Sequence, residues 1–204
     1  MGYNFSTRDE IRDKLIAYVE TPDDDTIRLK RKIEDMLKNC PELLYALHRE
    51  DLESELFDEE GNLIVDGDWS AYFGATSAVR PFLSFPTVET DVRTYLCYQV
   101  SFDELPRYNT SEKYCLITFT IFVYNTDIID DLTGIPRHDL IGAIIRELMA
   151  WSGITMSNAI PVSDKESTTD NNYIVRTMIY QATMPNSIVK TENGITFYNN
   201  KGKK

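Results

Sequence analysis

Apolar positions recur along this chain with two different periods, and the change from one to the other divides it. Up to about residue 57 they return every three or four residues. Ile11, Leu15, Ile16 and Val19 form one such stripe. It follows Thr7-Arg8-Asp9-Glu10, a threonine and a glutamate at capping-box spacing, so a helix is predicted from about residue 8 to 20. Ile27, Leu29, Ile33, Met36 and Leu37 form a second stripe. Ahead of it Thr21 offers a cap, Pro22 suits the first helical position, and Asp23, Asp24 and Asp25 suit the positive end of a helix dipole. Cys40-Pro41 ends that helix and opens a third, which carries Leu43, Leu44, Leu47 and Leu52.

Beyond residue 57 the period shortens. Glu60-Gly61-Asn62 reads as a turn and Leu63-Ile64-Val65 as a short strand. Residues 69–91 read as an irregular loop whose aromatics, Trp69, Tyr72, Phe73, Phe82 and Phe85, pack on the core. From Val92 to Phe102 alternate positions are apolar, as in a half-covered antiparallel strand. From Cys115 to Val123 both faces are rather apolar, so that strand is central or meets a partner. At about 3.3 Å per residue each of these strands reaches roughly 35 Å, about twice the usual length.

Leu140, Ile141, Ile144, Ile145, Leu148 and Trp151 form a broad helical stripe between Pro136 and the stop at Gly153. A short strand around Met156–Val162, a polar loop over 163–172 and a last long strand, Tyr173–Thr183, complete the order. Residues past about 190 are expected to be flexible or ordered by a partner. The fold class is α+β: an antiparallel sheet with a long β-hairpin and one packed helix, preceded by an N-terminal helical segment. The expected units are a helical segment over 1–57, an α+β core over 58–190 and a tail over 191–204.

Charge sharpens this division. The net charge is −12. Residues 1–70 hold 19 acids against 9 bases, a net −10, leaving 14 against 12 for the rest. The plain reading is a solvated helical surface; the sharper one is a docking face for a basic partner. A field of this sign repels phosphate backbones, which argues against nucleic-acid binding. No apolar run is long enough to span a bilayer, and the polar, charged start is not a secretory signal. Gly2 and Ser6 fit the myristoylation pattern, but no polybasic stretch accompanies them. Cys40, Cys97 and Cys115 are odd in number and sparse, which fits a reducing compartment, and the last two fall on strands as small apolar residues.

Catalytic patterns are absent from the sequence. There are two histidines, His48 and His138, and no G-x-S-x-G, GxGxxG or P-loop. Asp23–Asp25, Asp58–Glu60 and Asp66-Gly67-Asp68 are carboxylate clusters, yet capping and turn formation explain each, and none closes a calcium loop. Arg28, Lys30, Arg31 and Lys32 are interleaved with acids as on a solvated face. The expectation is a protein without catalytic, cofactor or metal residues.

The long hairpin is the feature that asks for an explanation. Its strand ends and tip carry aromatics that form an aggregation hazard unless another chain covers them. Tyr95, Phe102, Leu105, Arg107, Tyr108, Tyr114, Phe122 and Tyr124 are the expected subunit interface. The competing reading is a monomer whose hairpin lies over its own helices. Over residues Thr94 to Thr183, "FDELPRYN", "ITFTIFVYN" and "RHDLIGAIIREL", in the order helix, long hairpin, helix, strand, resemble the tail-terminator and head–tail connector proteins of tailed bacteriophages. The resemblance implies a virion structural protein, made in the host cytoplasm and built into the neck as a homo-oligomeric ring. Its partners would be copies of itself, the portal or connector, and tail proteins. DNA would pass through an acidic lumen without specific binding, and no membrane would be involved. The three N-terminal helices depart from the compact pattern of that family. Two other classes stay open: a cytosolic acidic adaptor, and a metal-dependent enzyme using Asp23–Asp25 or Asp58–Glu60.

Overall fold

A computed structural model describes residues 7–19, 25–65, 67, 69–84, 94–102, 112–151, 153–155, 159–169, 172–185, 188–191 and 194–197. Helix α1 spans Arg8–Val19. Its start is the predicted capping box: the Glu10 amide donates to Thr7 Oγ1 and the Thr7 amide donates to Glu10 Oε2, each at 3.2 Å. Helix α2 spans Asp25–Lys38, and the start signals at Thr21, Pro22, Asp23 and Asp24 lie outside the described residues. Leu29, Ile33 and Leu37 are buried on one face of α2.

The third helix is shorter than its apolar pattern suggests. α3 covers only Pro41–Ala46, with Pro41 in its first turn. His48 follows at φ 51°, the left-handed conformation in which a helix cannot continue. Leu52 falls in a single tight turn, and α4 is the brief helix Glu53–Leu56. The strand expected at Leu63–Val65 is reduced to one bridge, Phe57 with Leu63. Asp58 accounts for this, because its carboxylate accepts the amides of Glu60 and Asn62 and curls the chain into a turn.

Of the aromatic loop, Trp69, Tyr72 and Phe73 pack on the core as expected, whereas Phe82 is exposed and Phe85 lies outside the described residues. Buried Tyr72 donates to the carbonyl of Leu52 at 3.1 Å, and Trp69 Nε1 donates to that of Glu55 at 3.0 Å. The loop then supplies β1, Val79–Arg80, a strand too short for any periodicity to reveal. Strand β2 is Thr94–Phe102 and β3 is Glu112–Tyr124, antiparallel from Thr94↔Val123 to Phe102↔Cys115. The long hairpin is therefore present; its tip, 103–111, lies outside the described residues. Helix α5 is Arg137–Trp151, β4 is Ile160–Thr168 and β5 is Tyr173–Pro185. The sheet order is β1-β2-β3-β5-β4, with β1 parallel to β2 and the other neighbours antiparallel.

Two parts of the sequence reading need correction. Ser163–Thr168, expected as loop, belongs to the edge strand β4. That strand is polar and exposed, so apolar burial does not hold it. The ladder to β5 does, together with Asp164, which is gripped by Arg176 and Arg146. The tail is also not loose throughout: β6, Ile188–Thr191, pairs antiparallel with β7, Gly194–Phe197.

One face of the sheet carries the main core. Leu96, Tyr98, Ile117, Phe119, Ile121 and Met178 share it with Leu29, Ile33 and Leu37 of α2, Leu43 and Leu44 of α3, and Ile141 and Ile145 of α5. So α2 and α3 join α5 against the sheet, and a single core runs from residue 29 to residue 184 across the expected boundary at 57. No helix among the described residues is long and apolar enough to cross a membrane.

Candidate functional site

The opposite face of the sheet divides into two halves. At one end Tyr95 stacks on Phe122, with ring centroids 4.7 Å apart, and Tyr173 meets both rings edge-on. The turn after β1 closes over this group. Arg80 lies over the Tyr95 ring at 4.4 Å, and the Tyr95 hydroxyl donates to the carbonyl of Ser84 at 3.4 Å. Burial pushes the Cys97 thiol up beside them. Towards the hairpin tip the same face is only half-buried. Register there sets Leu116 beside Gln181, Thr118 beside Ile179, and Tyr114 beside Thr183. Ile160 on β4, 65% exposed, adds an apolar side chain next to Gln181. The result is a surface of mainly apolar and uncharged polar groups, with Glu112 at its tip end, which matches protein contact better than small-molecule chemistry.

The expected interface residues are scattered by this geometry. Tyr95 and Phe122, both expected at the subunit interface, are fully buried inside the chain's own second cluster, where Arg80 and Ser84 close over Tyr95. Tyr124 is half-buried against that cluster. Phe102 points to the main core, with Lys113 Nζ 4.2 Å from its ring centroid. Tyr114 does sit on the half-covered outer face. Leu105, Arg107 and Tyr108 lie outside the described residues.

A second exposed feature carried no sequence signal. Between β3 and α5, Ile129, Leu132 and Ile135 project into solvent at 52%, 81% and 46% exposure. Their loop is held rigidly from within. The Asp130 carboxylate accepts the Thr133 amide at 2.9 Å and its hydroxyl at 2.7 Å, and Gly134 turns the chain at φ 68°. Buried Arg137 donates to Asp130 Oδ1 at 3.1 Å and to the carbonyls of Asp127 and Ala46 at 3.1 and 3.2 Å. Asp127 in turn accepts Thr94 Oγ1 and meets His48 Nδ1, both at 2.8 Å. Burial would push the Asp130 carboxyl up, but Thr133 and the Arg137 guanidinium outweigh it and hold that group below the usual carboxylate range.

The chemistry of this network is structural. His48 and Asp127 have the spacing of a catalytic pair, yet Nε2 of His48 faces the Glu50 carboxylate at 3.7 Å instead of a hydroxyl or thiol. What the pair does is fasten the left-handed turn after α3 to the end of β3. The Asp58 carboxylate is committed to its turn. Asp23, Asp24, Asp66 and Asp68 lie outside the described residues.

Comparison with known proteins adds one finding. Residues 41–182 match the model of a family described as YomW. The match covers well over half of the chain and all of the main sheet except the end of β5, so the chain belongs to this phage-derived family. No curated protein matches the chain.

Proposed function

We propose that this YomW-family chain is a non-enzymatic structural protein of a phage particle, assembling with copies of itself into a ring at the head–tail junction. The observation that carries the reading is the outer sheet surface. Strands β3 and β5 run side by side for 13 residues each, about 40 Å, and half of that outer face is left only partly covered by the chain itself. Apart from Glu112 at its tip end, its β3 and β5 residues are uncharged, and its neighbour on the edge is apolar Ile160, a composition suited to a protein interface. The rigid Leu132 loop offers a second contact at the other end of the hairpin. A chain with distinct, non-identical sticky surfaces makes head-to-tail contacts, and these close into rings when the rotation permits.

In this reading the neighbours along the axis are portal or connector proteins and tail proteins, and the site of action is the neck of the virion. The net charge of −12 supports a lumen through which DNA slides without adhering. Light scattering and electron microscopy of the purified full chain test the proposal. Closed rings of one stoichiometry are the expected result. A monomer at every concentration, absent from purified particles, would overturn it.

A further inference from the structure

Helix α1 and the groove between α2, α3 and α5 are both open, and they are complementary. On α1, Arg8, Ile11, Arg12, Leu15 and Ile16 recur at helical spacing and so share one face. Ile11, Leu15 and Ile16 are 46%, 59% and 58% exposed. Arg8 and Arg12 are exposed as well. An exposed face of three aliphatic side chains with Arg8 and Arg12 set between Leu15 and Ile16 is thus left uncovered, with Asp9 at its Ile16 edge.

The groove has the opposite character. It encloses about 450 Å³, with Met36, Ile144 and Leu148 as an apolar floor and Glu42 and Glu147 as an acidic rim. Its floor is the second stripe of α5: Ile141, Ile145 and Met149 face the sheet and are buried, while Ile144 and Leu148 are turned aside and half-buried. Cys40 lines the groove too. Its thiol is pushed up to about 11, by burial first and then by Glu42 and Glu147 among other groups, a local sign of the negative field. The uncovered face of α1 is apolar with two arginines at its centre; the uncovered groove is apolar with an acidic rim.

We infer that α1 is an exchange arm: its Arg8–Ile16 face seats in the Met36–Ile144–Leu148 groove of the adjacent copy. Seating buries three exposed aliphatic side chains in a groove already shaped by helices. It also sets Arg8 and Arg12 against Glu42 and Glu147. The contact joins two different surfaces, so it propagates from copy to copy. This inference rests on the reading that the chain assembles with itself, and it identifies the element that does the joining.

Two charge-reversed full-length variants test it. One carries Arg8→Glu and Arg12→Glu; the other carries Glu42→Lys and Glu147→Lys. All four side chains are exposed, so both variants are expected to keep the wild-type circular dichroism spectrum. Each alone is expected to need at least tenfold more protein for half-assembly, by sedimentation velocity. Mixed in equal amounts they are expected to reassemble, because each arm then meets a groove of opposite charge on the other variant. Normal assembly of either variant alone would overturn the arm while leaving self-assembly intact. So would reassembly failing in the mixture but returning when all four changes are placed in one chain, which would mark α1 as closing on its own groove. A wild-type chain that stays monomeric would overturn both this inference and the ring itself.

Discussion

The guanidinium of Arg137, in the first turn of α5, donates to the carbonyl of Ala46 at the end of α3, 91 residues away, at 3.2 Å. That bond ties the N-terminal helices to the sheet body through a group that also serves Asp127 and Asp130. Removing the cation would leave two carboxylates nearly buried without their partner. Arg137→Met is therefore expected to destabilise the fold by about 3–5 kcal/mol in urea titration. Adding Asp130→Asn should recover part of that loss, since one orphaned charge is gone. A cost for Arg137→Met of well under about 1 kcal/mol would show that the network does not hold the two parts together.

Leu132 separates stability from assembly. At 81% exposure it contributes little to the core of its own chain. Leu132→Ser is expected to change unfolding free energy by no more than about 0.5 kcal/mol. In the assembly reading the same change removes an apolar contact at an interface, and half-assembly should shift to roughly tenfold higher concentration, a change of about 1.4 kcal/mol. Equal assembly of variant and wild type would take this loop out of the interface.

Acid should loosen the β4 edge. Asp164 accepts Arg176 Nε at 2.9 Å and Nη2 at 2.8 Å, and Arg146 Nη2 at 2.8 Å. The Arg176 hydrogen bonds first, then the two guanidinium charges, hold its carboxyl below the usual carboxylate range. A carboxyl lowered in the folded state stabilises that state above its unfolded pKa, near 4, and loses the contribution as pH falls through the folded value. Asp164→Asn lacks the contribution at every pH. The Tm difference between wild type and Asp164→Asn should hold steady from pH 8 to about 5 and shrink below about 4. A difference that persists unchanged at pH 2 would contradict the ionic origin of this grip.

Much of this architecture was written in local patterns. The capping box at Thr7 and Glu10, the stripe of α5 and the alternation of β2 each determine their element through neighbours a few residues away. What escaped was non-local. Ser163–Thr168 has the composition of a loop, and only the ladder to β5 and the grip of Arg176 and Arg146 on Asp164, brought near by the fold, make it an edge strand. His48 ends α3 because Asp127 receives its imidazole, 79 residues on. The interface reading met the same limit. Tyr95 and Phe122 have the composition of an exposed aromatic strand end, and nothing short of the Arg80–Ser84 turn could reveal that they are covered. Nor could the stripe of α1 show that its apolar face would stand open.

The contact between Gly142 and Arg176 yields a prediction whose sign depends on the partner. Arg176 lies flat against α5 at Gly142. An alanine Cβ there would sit 2.8 Å from Nη1, 2.9 Å from Cζ and 3.1 Å from Nε. Alanine in a helix interior is ordinarily favoured over glycine by about 1 kcal/mol. Here that gain is opposed, because the guanidinium would have to lift away from Asp139, which it meets at 2.6 Å, and from its paired bonds to Asp164. These groups are partly exposed, so the opposing loss is of similar size, about 1 kcal/mol, and Gly142→Ala alone is expected to be neutral or slightly destabilising. In an Arg176→Ala background the obstruction is gone, and Gly142→Ala should then stabilise by about 0.5–1 kcal/mol. A double-mutant cycle by chemical denaturation reads the difference as a coupling of roughly 1 kcal/mol. Stabilisation by the same amount in both backgrounds would mean that the guanidinium does not rest on the helix at this glycine.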